Sequence, residues 1–299
     1  MTTPASKTAE VLGGPACELG EGPVWHAEAQ ELGWVDLLGK ALHRATLDAD
    51  GTLGPVRTTH VGGHLGAAVP VGGPDGGWLL AIAQGFAHLA DDGTITPLAQ
   101  PEAGSHGGNR MNDAKADPRG RWWAGSMSYG EKSAAGSLYR VDLDGSVTPM
   151  LTGTSVSNGL GWSPDGKTMY FNDSGTRTLS AYSFDVETGE IADHRILVRG
   201  TPESTPDGLT MDDEGCVWTA MWDGGSVHRY DPDGRLLEVV QVPVQRTSSC
   251  CFAGPDSDQL VITTGQVPDK QETDAGRLFV LRPGVTGPPA DRFAGTLPR

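Results

Sequence analysis

Short apolar and aromatic segments recur along the chain, and residues typical of turns separate them. The segments are LGWVDLLG from Leu32, WLLAIAQG from Trp78, RWWAGSMS from Arg121, TMYFNDSG from Thr168, VWTAMWDG from Val217 and LVITTGQV from Leu260. Most are followed by a second strand-like segment that ends in an acidic turn, as in HRATLDADG and LYRVDLDGS. The segments begin roughly 45 residues apart, a length typical of one four-stranded propeller blade. Six such units fill the chain, so the pattern predicts an all-β, six-bladed β-propeller.

A propeller must close into a ring so that both faces of every blade are buried between its neighbours. The segment TAEVL, from Thr8 to Leu12, is the candidate closing strand, beside RLFVLRP at residues 277–283. We therefore predict a single propeller domain over residues 8–299, preceded by a flexible tail over residues 1–7. A pair of packed β-sheets is the alternative architecture, but the regular spacing fits it less well.

The composition agrees with many short strands joined by tight turns, since the chain contains 43 glycines and 21 prolines. Its formal net charge is −16. Binding of nucleic acid requires a basic surface, and an anionic membrane would repel this one, so we expect neither as a partner. The charge favours a neutral or cationic small molecule, or a metal cation.

The four cysteines, Cys17, Cys216, Cys250 and Cys251, have no CxxC spacing. We interpret them as buried free thiols in a reducing compartment and do not expect a cysteine zinc site. The N-terminal segment lacks the basic and apolar pattern of a signal peptide, and no apolar stretch is long enough to span a bilayer. We therefore expect a cytoplasmic protein that is a monomer or a small homo-oligomer.

A polar residue occupies the same position in several repeats. Three repeats read NDAKADPRG, NGLGWSPDG and DGLTMDDEG, and each begins with an oxygen-bearing side chain eight positions before the turn glycine. In the first repeat, which reads EGPVW, a glutamate stands at the matching place, whereas the remaining two repeats have Ala68 and Ser249 near it. The four polar residues are Glu21, Asn112, Asn158 and Asp207.

Equivalent positions in different blades lie at equivalent heights around the propeller axis. The four side chains therefore converge on one small volume if each begins the innermost strand of its blade. Two carboxylates and two amides suit a hard cation such as Ca²⁺, Mg²⁺ or Mn²⁺. Each residue alone is more typical of a turn than of a site, because Asn-Gly, Asp-Gly and Glu-Gly are common turn dipeptides. Their recurrence at one repeat position favours a shared site in the central channel.

Several segments, in this order, resemble the gluconolactonase and regucalcin (senescence marker protein-30) family. They are LGEGPVW, RMNDAKADPRGRWWAGSM, SNGLGWSPDGKTMYFNDS, PDGLTMDDEGCVW and SSCCFAG. The resemblance runs from about Cys17 to the last blade and so covers nearly the whole chain. It implies a six-bladed propeller with one divalent metal ion in the central channel, either Ca, Zn, Mn, Mg or Fe. It also implies an activity, since family members include lactonases that act on sugar aldonolactones.

The resemblance assigns individual residues. The family's metal ligands fall on Glu21, Asn158 and Asp207, and its substrate-binding arginine and asparagine fall on Arg110 and Asn112. Asn112 is thus assigned to the substrate rather than to the metal, which corrects the reading from the repeats alone. Some members place a further substrate-binding glutamate after AGTM, and in AGSMSYGEKS this position corresponds to Glu131 or Tyr129.

These assignments lead to a mechanistic hypothesis of metal-dependent lactone hydrolysis. The metal would polarise the lactone carbonyl and lower the pKa of a bound water molecule. Asp207 would also accept the proton of the attacking water, with Asp173 as an alternative base. Arg110 and Asn112 would orient the sugar ring. Trp123 and Trp222 are candidates for the channel mouth, although tryptophans in blade strands more often pack in the core.

Three other functions remain open at this stage. The main alternative is a calcium-binding, regulatory propeller of the regucalcin kind without significant turnover. A propeller that serves as a scaffold for protein partners would need no metal, and the clustered carboxylates argue against it. An ester or phosphotriester substrate on the same fold is the third.

Overall fold

The computed structural model describes residues 4–73, 76–105 and 108–297. These residues form 25 β-strands in six sheets, and a single turn of 3₁₀ helix spans Ala103–Ser105. Within the described ranges no helix has the length and apolar character needed to cross a bilayer. The sheets follow one another along the chain, so the predicted all-β, six-bladed propeller is confirmed.

The first three blades are built from consecutive strands, numbered from the innermost outward. Blade 1 contains β3 (Gly20–His26), β4 (Glu31–Asp36), β5 (Ala41–Thr46) and β6 (Arg57–His60). Blade 2 contains β7 (Leu65–Pro70), β8 (Trp78–Ile82), β9 (Gly85–Leu89) and β10 (Ile95–Pro97). Blade 3 contains β11 (Asn109–Ala116), β12 (Trp122–Ser128), β13 (Gly136–Val141) and β14 (Val147–Thr154).

The last two of the remaining three blades also take strands from the start of the chain. Blade 4 contains β15 (Ser157–Trp162), β16 (Thr168–Asp173), β17 (Thr178–Phe184) and β18 (Ile191–Arg199). Blade 5 contains β19 (Thr205–Met211), β20 (Val217–Trp222), β21 (Ser226–Tyr230), β22 (Leu236–Gln241) and β1 (Ala5–Thr8). Blade 6 contains β23 (Arg246–Ala253), β24 (Gln259–Gly265), β25 (Leu278–Leu281) and β2 (Glu10–Gly13).

The N-terminal segment adds one strand to each of the last two blades. Strand β2 pairs antiparallel with β25, with Val11 opposite Phe279, as the sequence predicted for TAEVL. Strand β1 pairs parallel with β22, with Ala5 opposite Glu238. Residues 5–7 are therefore part of a sheet and not of a flexible tail, because their backbone groups complete the exposed edge of blade 5. Residues 1–3 of that predicted tail lie outside the described residues.

Aromatic side chains fill the space between adjacent blades. Trp218 of blade 5 meets Phe252 of blade 6 edge-on, with ring centroids 6.0 Å apart. Trp123 of blade 3 contacts Trp162 of blade 4 in the same manner, also at 6.0 Å. This packing buries both faces of each blade, which no single four-stranded sheet achieves in water. The four cysteines are free and buried, as the sequence predicted.

Each innermost strand is interrupted by a β-bulge near its beginning. In blades 3, 4 and 5 the first bulged residue is Asn112, Asn158 or Asp207. A bulge turns a side chain out of the regular alternation and commonly lies next to an active site. In blade 1, Glu21 immediately precedes the bulge instead of lying within it.

The bulges of the other two blades carry no side chain of this kind. They fall at Gly66 and Ser248, rather than at Ala68 and Ser249, where the repeat spacing placed the matching position.

The inner strands of blades 4 and 5 approach one another closely at their bulges. A Cβ atom on Gly159 would lie 2.5 Å from the backbone oxygen of Asp207, so only glycine permits this contact between blades 4 and 5.

The C-terminal segment crosses the ring at the far ends of the inner strands. The backbone N–H of Phe293 donates to the Pro70 oxygen at 3.0 Å, and that of Ala294 donates to the Gly120 oxygen at 3.0 Å. Phe293 is completely buried. Residues 288–291 thereby cover a second cavity of about 290 Å³ at this end of the channel.

Candidate metal centre and substrate cavity

A cavity of about 430 Å³ opens at the end of the ring where the inner strands begin. Its volume is within the range of sites that bind small molecules. The structure brings six residues predicted from the sequence together in its lining: Glu21, Arg110, Asn112, Glu131, Asn158 and Asp207. They come from four different blades, so the convergence results from the propeller and not from proximity in the chain.

Three oxygen atoms in this cavity are buried without a hydrogen-bond donor among the described residues. They are Oε2 of Glu21, Oδ1 of Asn158 and Oδ1 of Asp207. The three residues are only 7%, 5% and 4% exposed, respectively. Buried polar atoms in native proteins almost always have a partner, and an unpaired one is unfavourable. Three unpaired oxygens, two of them from carboxylates, are the type of donor that a hard divalent cation prefers.

The electrostatics of the two carboxylates lead to the same conclusion. Burial raises the pKa of Glu21, and the nearby charge of Asp113 raises it further. The pKa of Asp207 is raised by burial, and then by the charges of Glu21 and Asp113. Crowded, desolvated carboxylates favour either a bound proton or a nearby cation. A divalent cation between them would offset both burial and repulsion.

The orientation of Asn158 also fits the role of a ligand. Its Nδ2 atom donates to the Oγ of Ser174 at 3.0 Å, which leaves Oδ1 without a partner. The Ser174 hydroxyl in turn donates to the backbone oxygen of Pro206 at 2.7 Å. Metal ligands are commonly fixed in this way by hydrogen bonds from groups that do not touch the metal.

Asn112 differs from Asn158 in this respect. Its Oδ1 accepts a hydrogen bond from Nη1 of Arg110 at 2.6 Å, and its Nδ2 donates to the backbone oxygen of Ser157 at 3.0 Å. Because its oxygen already has a donor, Asn112 fits a role in orienting Arg110 and the substrate better than a role as a metal ligand. Burial lowers the pKa of Arg110, and the charges of Glu21 and of other acidic groups oppose that shift.

Glu131 and Tyr129 occupy different places near the cavity. Glu131 lines it from the turn after β12, where the backbone has a φ of 51°. Tyr129 is 48% exposed, and its hydroxyl lies 3.1 Å from Nδ1 of His64. Of the two candidates for the additional substrate contact, Glu131 is therefore the one in the cavity wall.

The two tryptophans proposed for the channel mouth lie in different environments. Trp123 is completely buried in the core between blades 3 and 4. Trp222 lines the cavity, and the guanidinium of Arg246 lies 4.8 Å from its ring centroid.

Asp173, the alternative base, is not in the cavity lining. Its carboxylate instead accepts backbone N–H groups of the chain leading into β15.

Sequence reasoning missed Asp113, which directly follows Asn112 in the same bulge. Asp113 is 6% exposed, and burial raises its pKa. It lines the second cavity together with Lys115 and Asp291, while its charge reaches Glu21 and Asp207. The acidic residue is visible in RMND, but its position below the carboxylate pair depends on the bulge and on no pattern in the sequence.

A second group of possible ligands, Cys17, Asp36 and His43, lies outside the cavity, with ligand atoms within 4.8 Å of one another. Burial, followed by the charge of Asp36, raises the pKa of the Cys17 thiol to about 12. Both oxygens of Asp36 already accept backbone N–H groups. These features fit a structural cluster better than a metal centre, because the oxygens of Asp36 have donors, whereas Oε2 of Glu21 and Oδ1 of Asp207 have none among the described residues.

Comparisons with known proteins agree with the fold and the repeats. The family described as SMP-30/Gluconolactonase/LRE-like region matches residues 19–266. Pentonolactonase XacC from Haloferax volcanii is 36% identical over 288 residues, which cover 93% of this chain and 95% of that protein. Regucalcin from Gallus gallus is 34% identical over 300 residues, which cover 96% of this chain and 98% of that protein.

A solved structure extends the similarity to three dimensions. Regucalcin from Agrobacterium tumefaciens, described as a calcium-binding protein, matches with a TM-score of 0.88 at 29% identity. The match covers 98% of this chain and 99% of that structure. The chain therefore belongs to the SMP-30/gluconolactonase/LRE-like family.

Proposed function

We propose that this protein hydrolyses a small sugar lactone with one divalent cation held by Glu21, Asn158 and Asp207. The observation that carries the proposal is the set of three buried oxygens without donors, one from each residue. The name of the pentonolactonase relative supports a lactone substrate. The net charge of −16 supports a neutral substrate, because it disfavours binding of an anion.

A cation at this position would supply Lewis acidity toward the lactone carbonyl and lower the pKa of bound water. The remaining roles belong to side chains of the chain itself. We propose that Asp207 accepts the proton of the attacking water, since its carboxylate is both a ligand and a base. Water adds to the carbonyl carbon and gives one proton to Asp207. The ring C–O bond then breaks, and the ring oxygen takes up that proton and leaves as the hydroxyl of an aldonic acid.

Substrate orientation is assigned to residues of blade 3 in the cavity lining. The guanidinium of Arg110 is held by the backbone oxygen of Met111 at 3.0 Å and by Oδ1 of Asn112 at 2.6 Å. Its remaining N–H groups have no acceptor among the described residues and can donate to the oxygens of a sugar ring. Glu131 also lines the cavity and can accept hydrogen bonds from sugar hydroxyls.

The second candidate function is calcium binding without turnover. It is favoured by the similarity to proteins named regucalcin, one of which is described as calcium-binding. Ca²⁺ prefers the same oxygen ligands, so the donor set alone suits both functions. Turnover of a lactone distinguishes them.

The test is a pH-indicator assay of several aldonolactones on chelator-treated protein, before and after Mn²⁺ or Ca²⁺ is restored. We expect hydrolysis to depend on the added cation and Asp207→Ala to lose nearly all of it while circular dichroism shows an intact fold. Asp291→Asn, in the second cavity, is the control and should stay active. Full activity in chelator, or in Asp207→Ala, would contradict the proposal; cation binding without hydrolysis would favour the second candidate.

A further inference from the structure

Two aspartates outside the cavity hold the chain just ahead of two of the proposed ligands. In blade 1, Oδ2 of Asp36 accepts the backbone N–H of Glu18 at 2.9 Å, and its Oδ1 accepts that of Leu19 at 3.1 Å. Oδ1 also accepts the N–H of Gly39 in the following turn at 2.9 Å. Glu21, which immediately precedes the bulge, follows Glu18 by only three residues.

Blade 4 repeats the two hydrogen bonds ahead of the ligand, with the same carboxylate oxygens. Oδ2 of Asp173 accepts the backbone N–H of Ser155 at 3.0 Å, and its Oδ1 accepts that of Val156 at 3.0 Å. Oδ1 also accepts the N–H of Gly175 in the following turn at 3.1 Å. Asn158 follows Ser155 by three residues, the same offset as in blade 1.

The position is specific to these two blades. Asp36 and Asp173 are the last residues of the second strands of their blades. The corresponding strands of the other four blades end in residues without a carboxylate: Ile82, Ser128, Trp222 and Gly265. If every propeller turn required an acid at this position, each blade would have one. The two aspartates are therefore a feature of blades 1 and 4, the blades that carry Glu21 and Asn158.

Asp173 also acts on the third ligand through its own turn. Ser174, the next residue, accepts the amide N–H of Asn158 and donates to the backbone oxygen of Pro206. Pro206 immediately precedes Asp207. One turn therefore fixes the side chain of one ligand and the backbone beside another.

We propose that Asp36 and Asp173 are positioning residues of the metal centre, which fix the chain that presents Glu21 and Asn158 to the cation. This inference rests on the proposed function, because it takes those residues as ligands. Neither aspartate lies in the cavity lining, so neither is expected to contact the substrate or the cation. Partners of this outer kind typically change metal affinity by about 10- to 100-fold.

Substitution by asparagine tests the role with a small change of shape. The amide oxygen can still accept at Oδ1, but the amide nitrogen replaces the acceptor that faces the N–H of Glu18 or Ser155. Two donors then oppose each other, and the chain ahead of the ligand is released. Asp212 is the matched control, because its Oδ1 also accepts two backbone N–H groups, from Glu214 at 3.0 Å and Cys216 at 2.8 Å. It lies at the other end of the inner strand that carries Asp207.

The experiment is calorimetric titration of Mn²⁺ into chelator-treated full-length protein, alongside thermal unfolding. We expect Asp36→Asn and Asp173→Asn each to weaken Mn²⁺ binding by about tenfold. Asp212→Asn should lower the melting temperature and leave the Mn²⁺ affinity within about twofold of wild type. Ser174→Ala, which removes only a hydroxyl, should also weaken binding and serves if Asp173→Asn does not fold.

The outcomes separate the two proposals. Wild-type protein that binds Mn²⁺, together with aspartate variants whose affinity is unchanged while their melting temperature falls, would overturn the positioning role and leave the proposed function intact. Wild-type protein that binds no Mn²⁺ would overturn the proposed function, and the positioning role with it.

Discussion

Asp207 lies near the start of inner strand β19 and Asp212 directly follows its end, and the structure predicts opposite effects of the same substitution on the stability of the metal-free protein. The Oδ1 of Asp207 has no donor among the described residues, and the charges of Glu21 and Asp113 act on its carboxylate. We therefore expect Asp207→Asn to raise the free energy of unfolding of the metal-free protein at neutral pH, because the amide cannot carry the charge that burial and Glu21 disfavour.

Asp212 is the opposite case, because both oxygens of its carboxylate accept hydrogen bonds. It accepts the indole N–H of Trp218 at 2.8 Å and pairs with the guanidinium of Arg229 at 2.7 Å. Removing one partner of a buried ion pair costs about 3–5 kcal/mol. Asp212→Asn should therefore destabilise the protein with or without metal.

The measurement is thermal unfolding of wild type and both variants in chelator and in Mn²⁺ at about 100 times the dissociation constant. Ligand at that ratio stabilises by about 2.7 kcal/mol. At about 2–4 °C per kcal/mol this corresponds to a rise of about 5–11 °C in the melting temperature of the wild type. Asp207→Asn should lose this rise, whereas Asp212→Asn should keep it from a lower starting point. If Asp207→Asn is less stable than wild type in chelator, or keeps the full metal-induced rise, the assignment of Asp207 is wrong.

Two further predictions concern the charges around the centre. The raised pKa values of Glu21 and Asp207 mean that these two groups bind more protons in the folded metal-free protein than in the unfolded chain, so their contribution to stability should be lost as pH rises above about 4.5. Melting temperatures of wild type and Asp207→Asn from pH 5 to 8 in chelator measure this, because all other titrating groups are common to both proteins. The advantage of Asp207→Asn over wild type should grow with pH, and a shrinking advantage would contradict the prediction. Arg110→Ala should raise the KM for a lactone and leave the affinity for Mn²⁺ unchanged or tighter, because a positive charge near the ligands is removed. A matching loss of Mn²⁺ affinity in the titration would exclude its assignment to the substrate.

Much of the fold could be predicted because each blade repeats the same physical requirements. Apolar strands alternate with glycine and acidic turns, and TAEVL has the apolar character needed beside β25. The segment Ala5–Thr8 escaped prediction because its side chains are mostly exposed and polar. Its pairing with β22 depends on backbone hydrogen bonds, which leave no hydrophobic pattern in the sequence.

The site could be predicted only as far as its residues lie at repeated positions or in family motifs. The repeat placed Asn112 and Asn158 as equivalents, and both are first residues of a bulge. Their hydrogen bonds differ, however, because Arg110 satisfies the oxygen of only one of them. Such differences arise from side chains of neighbouring strands and so require the three-dimensional structure.

The role of the aspartates at the ends of β4 and β16 could not be predicted from the sequence either. Asp36 in WVDLLG and Asp173 in FNDSG resemble ordinary turn residues, and acids are common there. They differ from the many other turn acids in the chain only in the backbone N–H groups that donate to them, which belong to the segments just ahead of Glu21 and Asn158.

The closing strands have a consequence for how the protein folds. Glu10 pairs with Val280, so the contact that completes the ring joins residues about 270 positions apart in the chain. Long-range pairing of this kind slows folding, because a large loop must close before its contacts stabilise it. During synthesis the N-terminal strands have no partner until nearly the whole chain has emerged. Until then the outer edges of blades 5 and 6 stay open to pairing with other chains, so we expect refolding yields to fall as protein concentration rises.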